Sequence, residues 1–329
     1  MGKMNDLQLM VQVSKMYYLK RMTQAQIAKE VGISRPAVSI LLSEAMKGGL
    51  IEIKIKDPSA NNDKLSRILA QKFSLKECRV VPTTILDENA LLKIVASQAV
   101  GLAKEAIENG GTLGIAWGKS CYAFMQAFPR ADGLFGVDVV PLTGGSNLAG
   151  IEFQLNETVR MFAEKLNGTP HFIYAPAMVE TAEDKAMYMQ STYMGPLVEK
   201  WKNLDLAVIT AGRDPAYRME EGFLGRRMLE DLIACVNKNN RRPVGDMCAL
   251  HFDITGAFVD EEHNDVVIGV GKDNLMAAGH VLCVASGLSR VLSVIGALNT
   301  GVVDILVIDE NTAKTVLEIF DDGLVKCLV

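Results

Sequence analysis

The chain has no CxxC pair and no cysteine or histidine spacing suited to a metal. Its six cysteines (Cys78, Cys121, Cys235, Cys248, Cys283, Cys327) sit mostly among apolar residues and read as free thiols of a reducing cytosol. No window approaches the ~18 consecutive apolar residues of a membrane span. The opening stretch MGKMNDLQLM lacks the apolar core of a secretory signal. A soluble, cytoplasmic protein with no membrane partner is expected. Signatures of catalysis are missing too. GIAWGKS fails the Walker A spacing at its first glycine, no GxGxxG follows the first strand, and neither GxSxG nor HExxH occurs. The four histidines (His171, His251, His263, His280) are scattered, and His171 and His280 border apolar strands, where structural roles fit. No catalytic residue, metal or cofactor is assigned. Internal repeats and low-complexity segments are absent.

What is present is a long, apolar chain with an uneven charge. Its 329 residues, 49% of them hydrophobic, suffice for more than one domain. The net charge of −5 divides into +4 over residues 1–58 and −9 over the rest. A basic end on an acidic body suggests a nucleic-acid module joined to something else.

Residues 1–57 carry the pattern of a winged helix-turn-helix. NDLQLMVQVSKMYYLK (5–20) places Leu9, Val13, Met16 and Tyr17 on one helical face. A second helix over 23–31 starts at Thr23, Gly32 interrupts, Ser34 caps, and a third helix runs to about Lys47. Ile27, Val31, Ile33, Val38 and Leu41 would lock the pair, with Ala28 as the small contact residue. Pro36 is tolerated in a first turn, whose amides lack intrahelical partners. Arg35, Ala37 and Ser39 remain on or near the leading end that enters a major groove, with Ser34 and Pro36 beside them at the DNA, and Thr23 and Gln24 are placed to hold a phosphate. LIEIKIKDP then alternates as a strand, a wing with Lys54 and Lys56 against the DNA backbone. Such modules work as dimers on paired half-sites, so an oligomerising partner domain is expected.

Residues 58–76 read as a linker with a connecting helix near 63–75, and residues 77–329 as the body. The apolar runs CRVVP, TLGIAW, VDVVPL, HFIYAP, LAVITAG, HVLCVASG and VDILVID alternate with helices near 89–108, 119–127, 152–166, 219–236, 288–298 and 310–320. Continuous apolar strands alternating with helices predict an α/β body: a doubly wound, mostly parallel sheet. Four strand ends finish in small residues: GIAWGKS (114–120), PLTGGSN (141–147), TAGRDP (210–215) and ASGLSR (285–290). Ligands of such sheets bind at the carboxyl ends of the strands. Lys119 and Ser120 at a helix start, with Arg213 and Arg290, suit a small anion. Asp246, between apolar neighbours, needs partners, and sugar hydroxyls or a loop-capping role would both serve.

The order and spacing of TQAQIAKEVGISRPAVSILL, GIAWGKS, PLTGG, VGDMCALHFDITGAFVD, ASGLSRVLSVIGAL and VDILVIDENTA resemble the SorC family of bacterial transcriptional regulators over nearly the whole chain. The resemblance implies an effector domain similar to sugar-phosphate isomerases and deaminases, with catalysis replaced by sensing. It also implies homodimers that pair into homotetramers on operator DNA of carbohydrate genes. The effector, a phosphorylated sugar or polyol, would place its phosphate near Trp117, Gly118, Lys119, Ser120, Gly287 and Arg290. Its hydroxyls would meet Thr143, Gly144, Gly145 and Asp246, with Arg213 nearby. Three positions depart from the family pattern. Ser286-Gly287 and Arg290 stand where a glycine pair and a lysine are usual, Ala211-Gly212-Arg213 replaces a GIG-like run, and Thr143 replaces the lysine of some relatives. Without an amine at Thr143 no imine can form there, so binding is expected to be noncovalent. Two alternatives stand beside this reading: an isomerase- or deaminase-like enzyme with an accessory DNA-binding domain, and a body that only assembles oligomers.

Overall fold

The N-terminal unit spans Met1–Pro58. In the computed structural model the described residues are 2–51, 62–83, 87–130, 134–147, 150–213, 242–259 and 265–321. Helix α1 (Gly2–Ser14) runs into a π-helical turn at Lys15–Leu19, followed by α2 (Gln24–Val31) and α3 (Arg35–Lys47). Thr23 forms a reciprocal cap: its hydroxyl accepts from the Gln26 amide, and Gln26 Oε1 accepts from the Thr23 amide at 2.9 Å. Such a cap contributes ~1 kcal/mol. Gly32, at φ 76°, makes the turn, and Ser34 caps α3 by accepting from Ala37 N–H. Val13, Met16, Ile27, Val38 and Leu42 form the core of this unit. Leu41, expected in the lock, packs half-buried against this core together with Ala28, Val31 and Ile33, and Leu42 beside it is buried as well. The expected wing, with Lys54 and Lys56, lies outside the described residues.

The second unit, Ser59–Val329, is built on a seven-stranded parallel sheet. In chain order the strands are β1 (Glu77–Val81), β2 (Thr112–Ile115), β3 (Asp138–Pro141), β4 (Thr169–Pro170), β5 (Leu206–Ile209), β9 (His280–Ala285) and β10 (Ile305–Asp309). They lie side by side in the order β1-β10-β9-β5-β2-β3-β4. Every residue of β2, β5 and β10 is buried, the signature of strands covered on both faces. The crossovers through α5 (Glu88–Ala106), α6 (Lys119–Ala127) and α7 (Leu155–Leu166) run toward β4. Those into β9 and β10, the latter through α11 (Val291–Asn299), run the other way. Right-handed crossovers of opposite direction put their helices on opposite faces, which makes the sheet doubly wound. Two apolar layers then sandwich the sheet in one continuous core.

Several expectations are corrected. The segment 63–75 is not a free connector: α4 (Asp63–Lys72) packs on β1, with Leu69 fully buried and the Ser66 hydroxyl accepting from Val80 N–H at 3.0 Å. HFIYAP is not a full strand. Only Thr169–Pro170 pair with β3, because the Asn156 side chain takes both backbone groups of Ile173. The helices expected from 152 and 288 each begin with a 3-10 turn, Ile151–Phe153 and Leu288–Arg290. The helix expected over 219–236 lies outside the described residues. Helices α8 (Ala182–Met189), α9 (Gly195–Trp201) and α10 (Lys272–Ala277) were not anticipated. Nor was the antiparallel sheet of β6 (Gly212–Arg213), β7 (Gly245–Met247) and β8 (Leu250–Phe252). Helix α12 (Glu310–Asp321) closes the described fold.

At the amino ends of the strands, charged side chains fasten edges. Asp138 binds His171 at 2.6 Å and Lys200. Burial alone would raise the Asp138 pKa, but hydrogen bonds from Lys200 and His171 outweigh it and hold the carboxyl below its ordinary value. His171 thus has the structural role its position suggests.

Candidate functional site

Strands β2 and β5 are neighbours whose onward connections lead in opposite directions. This is the switch point where open α/β sheets leave a crevice beyond their carboxyl ends. A cleft of about 430 Å³ opens there, within the size range of small-molecule sites. Its walls come from five places: Glu88 and Asn89 at the start of α5, Trp117–Lys119 after β2, Thr210 and Gly212 after β5, Asp246 and Cys248 on the small sheet, and Ser286, Ser289 and Arg290 after β9.

Local geometry shapes the walls after β2, β5 and β9. Gly118 sits at φ 109°, where a side chain would be strained, and caps α6 with its own N–H given to Glu152 O at 2.8 Å. The next amides, at the start of α6, have no acceptor within the helix, and the helix dipole adds partial positive charge. Lys119 stands exposed at the same end. Across the cleft, Arg290 donates from Nη1 to the Ala211 carbonyl at 2.7 Å, which fixes the guanidinium beside β5. Asp246 accepts from Ala249 N–H at 3.1 Å, within a hairpin whose turn residues Cys248 and Ala249 both have positive φ. The Ser120 and Thr210 hydroxyls, both buried, have no hydrogen-bond partner. A buried hydroxyl left in that state costs about 1–3 kcal/mol.

Of the residues read from sequence, Trp117, Gly118, Lys119, Asp246 and Arg290 converge on this cleft, with Ser120 immediately behind Lys119. Gly287 lies beside its wall, but its amide is engaged by Asp309 Oδ2 at 2.9 Å and Thr312 Oγ1 at 3.1 Å. The PLTGG loop is not brought in. Thr143 is buried in a bridge with Gly269. The Gly144 amide goes to Ile268 O and the Gly145 amide to Ala175 O, each at 2.8 Å. This loop packs strands together, so the expected hydroxyl contacts at Thr143, Gly144 and Gly145 are not on the wall. Of Arg213 only the backbone is described, paired with Gly245.

The wall residues missed in sequence are instructive. Thr210 and Ser286 stand in the TAGRDP and ASGLSR loops to which the carboxyl-end rule points, though the rule does not single them out within those loops. Glu88 and Asn89 reach the cleft only because β1 crosses over to β2, which no local pattern reveals. Burial pushes Cys283 up to about 12 and raises Cys121 and Cys248 well above the ordinary thiol value.

In the N-terminal unit, Thr23, Ser34, Arg35, Pro36 and Ser39 are exposed and Gln24 is half-buried. The exposed capped starts of α2 and α3 are therefore available to a partner, whereas Lys54 lies outside the described residues.

A helix-turn-helix unit and a doubly wound domain with a switch-point cleft define the class of ligand-responsive DNA-binding regulators. Comparison with known proteins narrows it. Residues 57–318 match the Sugar-bind family, a sugar-binding domain. The chain is 30% identical to the deoxyribonucleoside regulator of Bacillus subtilis over 312 residues, 94% of this chain and 97% of that one. It is 29% identical to the sorbitol operon regulator of Klebsiella pneumoniae over 322 residues, 97% of this chain and 100% of that one. The crystal structure of full-length SorC from Klebsiella pneumoniae superposes with a TM-score of 0.77 at 28% identity, covering 95% of this chain and 99% of that one. The chain belongs to the SorC family of sugar-binding transcriptional regulators. Its relatives are named regulators, and the enzyme alternative is not favoured.

Proposed function

We propose that this protein is a cytoplasmic regulator of a carbohydrate-utilisation operon, controlled by noncovalent binding of a phosphorylated sugar or polyol between β2 and β5. The observation that carries the reading is the pairing, across one cleft, of the α6 start and Lys119 with Arg290. Open amides, a helix dipole and a planar guanidinium are what a phosphate dianion requires. Asp246 and the unpartnered Thr210 hydroxyl supply groups for sugar hydroxyls. The names of the relatives, regulators of sorbitol and deoxyribonucleoside genes, favour the same ligand class. Among the described residues the cleft wall holds no histidine, and the neighbouring thiols stay protonated, so sensing is preferred over turnover.

The DNA partner is read by α3, with Arg35, Pro36 and Ser39 toward bases and Thr23, Gln24 and Lys54 toward phosphates. Two such helices are needed for a paired half-site, so a homodimer or homotetramer is the working form. Effector binding shifts operator affinity by as much as it discriminates between the DNA-bound and free arrangements. The test is a panel of phosphorylated sugars and polyols, scored by thermal shift and by retardation of promoter DNA. At least one compound should change both. If none changes either while the protein binds DNA, the sensing half of the reading fails.

A further inference from the structure

The outward face of α3 carries a large apolar side chain that its own core does not use. Val38, Leu42 and Ala45 are buried and mark the inward stripe. At ~100° per residue, the direction opposite that stripe is occupied by Pro36, Ile40, Ser43 and Lys47. Ile40 is the large apolar side chain of this face, with 58% of its surface exposed. Ser39, read from sequence as a base contact, is exposed on the flank of this face.

Neither local preference nor packing accounts for isoleucine here. A β-branched residue is a weaker helix former than the straight-chain polar residues usual on a solvated face. Left in water, its apolar surface contributes nothing to stability. It stands five residues after Arg35, on the part of a recognition helix that reaches base edges. In the major groove the apolar feature on a base edge is the C5-methyl of thymine. We propose that Ile40 is a specificity-determining residue of the DNA-reading helix, seated on a thymine C5-methyl in each half-site. This inference rests on the reading of α3 as the helix that enters the groove.

The test uses the full chain and duplexes it selects from a random library. Each thymine of the selected consensus is replaced in turn by deoxyuridine, which removes only the methyl. Wild type should lose about fourfold in affinity at one thymine per half-site, the worth of one buried methyl-sized group. Ile40→Ala should bind the thymine and uracil duplexes equally, and its own selected sites should no longer fix that thymine. Because Ile40 is exposed, its variant should melt with wild type. The inference is overturned if wild type is indifferent to every replacement, or if Ile40→Ala keeps the wild-type thymine-to-uracil ratio. Arg35→Ala separates the two levels. If it binds the selected duplexes as well as wild type, the placement of α3 in the groove fails. If it loses binding while Ile40→Ala retains thymine preference, only the role of Ile40 fails.

Discussion

The carboxylate of Asp309 accepts the amide hydrogen of Gly287 at 2.9 Å, joining the end of β10 to the loop that follows β9. The same side chain accepts from the Thr312 amide at 3.0 Å and the Thr312 hydroxyl at 2.7 Å. It is almost wholly buried. One carboxylate therefore sets the position of the loop carrying Ser286, Ser289 and Arg290. Removing it leaves the Gly287 amide only the Thr312 hydroxyl and takes the acceptor from the Thr312 amide at the α12 start. Asp309→Ala should lower unfolding free energy by ~2–4 kcal/mol in urea titration, since hydrogen bonds to buried charge are among the costly ones to lose. Effector-induced thermal shift should vanish at a temperature where the variant is still folded.

Arg290 tests the phosphate assignment. With one Nη1 hydrogen held by the Ala211 carbonyl, the guanidinium is oriented before any ligand arrives. Arg290→Gln should weaken a phosphorylated effector by about 10- to 100-fold in calorimetric titration, in line with the loss of a charge-assisted pair. The unphosphorylated sugar should be unaffected. Arg290→Lys should recover only part, because an ammonium lacks the planar fork that grips carbonyl and phosphate together. Equal losses for both forms of the sugar would mean that Arg290 does not meet the phosphate.

The N-terminal unit separates reading from folding. Arg35 is exposed at the start of α3, whereas Ile27 is fully buried in the core of the unit. Arg35→Ala should lose at least tenfold in operator affinity with effector binding unchanged. Ile27→Ala should cost ~2–5 kcal/mol and unfold the unit, a large fraction of what so small a core supplies. Circular dichroism alongside gel retardation distinguishes the two.

How much of this was legible in sequence depended on whether the cause was local. Caps at Thr23 and Ser34 and the turn at Gly32 follow from short-range rules, and the structure has them in place. The buried strands declared themselves as unbroken apolar runs. The PLTGG loop lies off this cleft: Gly144 lets the backbone of Pro176 and Ala177 come closer than a side chain would allow, and that demand looks the same in sequence as room for a ligand. Helix α8 buries no side chain and so shows no inner face, and α9 is only seven residues long, with Leu197 and Trp201 alone marking its inner side. Glu88, Asn89 and the β6–β8 sheet reach the cleft through long-range topology, which no window of residues encodes. Ile40 was passed over for the opposite reason: an apolar residue in an apolar helix looks like core until the buried face is known.

Acid should loosen the sheet at β3. Asp138 holds His171 and Lys200 at the amino end of β3, and those hydrogen bonds keep its carboxyl below the ordinary value of 3.8 despite partial burial. The folded chain therefore binds this proton more weakly than the unfolded chain. Its contribution to stability is fully present above the ordinary carboxylate range, declines as the pH approaches about 3.8, and is lost as the pH falls through the lower, folded value. Asp138→Asn should remove that part of the acid dependence and should destabilise the protein at pH 7, where wild type retains the ion pair. Unfolding in urea at pH 7 and at pH ~3, below the ordinary carboxylate value, gives the comparison: the gap between wild type and variant should be wide at the first and narrower at the second. A gap that stays constant across that interval would show that Asp138 serves β3 by shape alone.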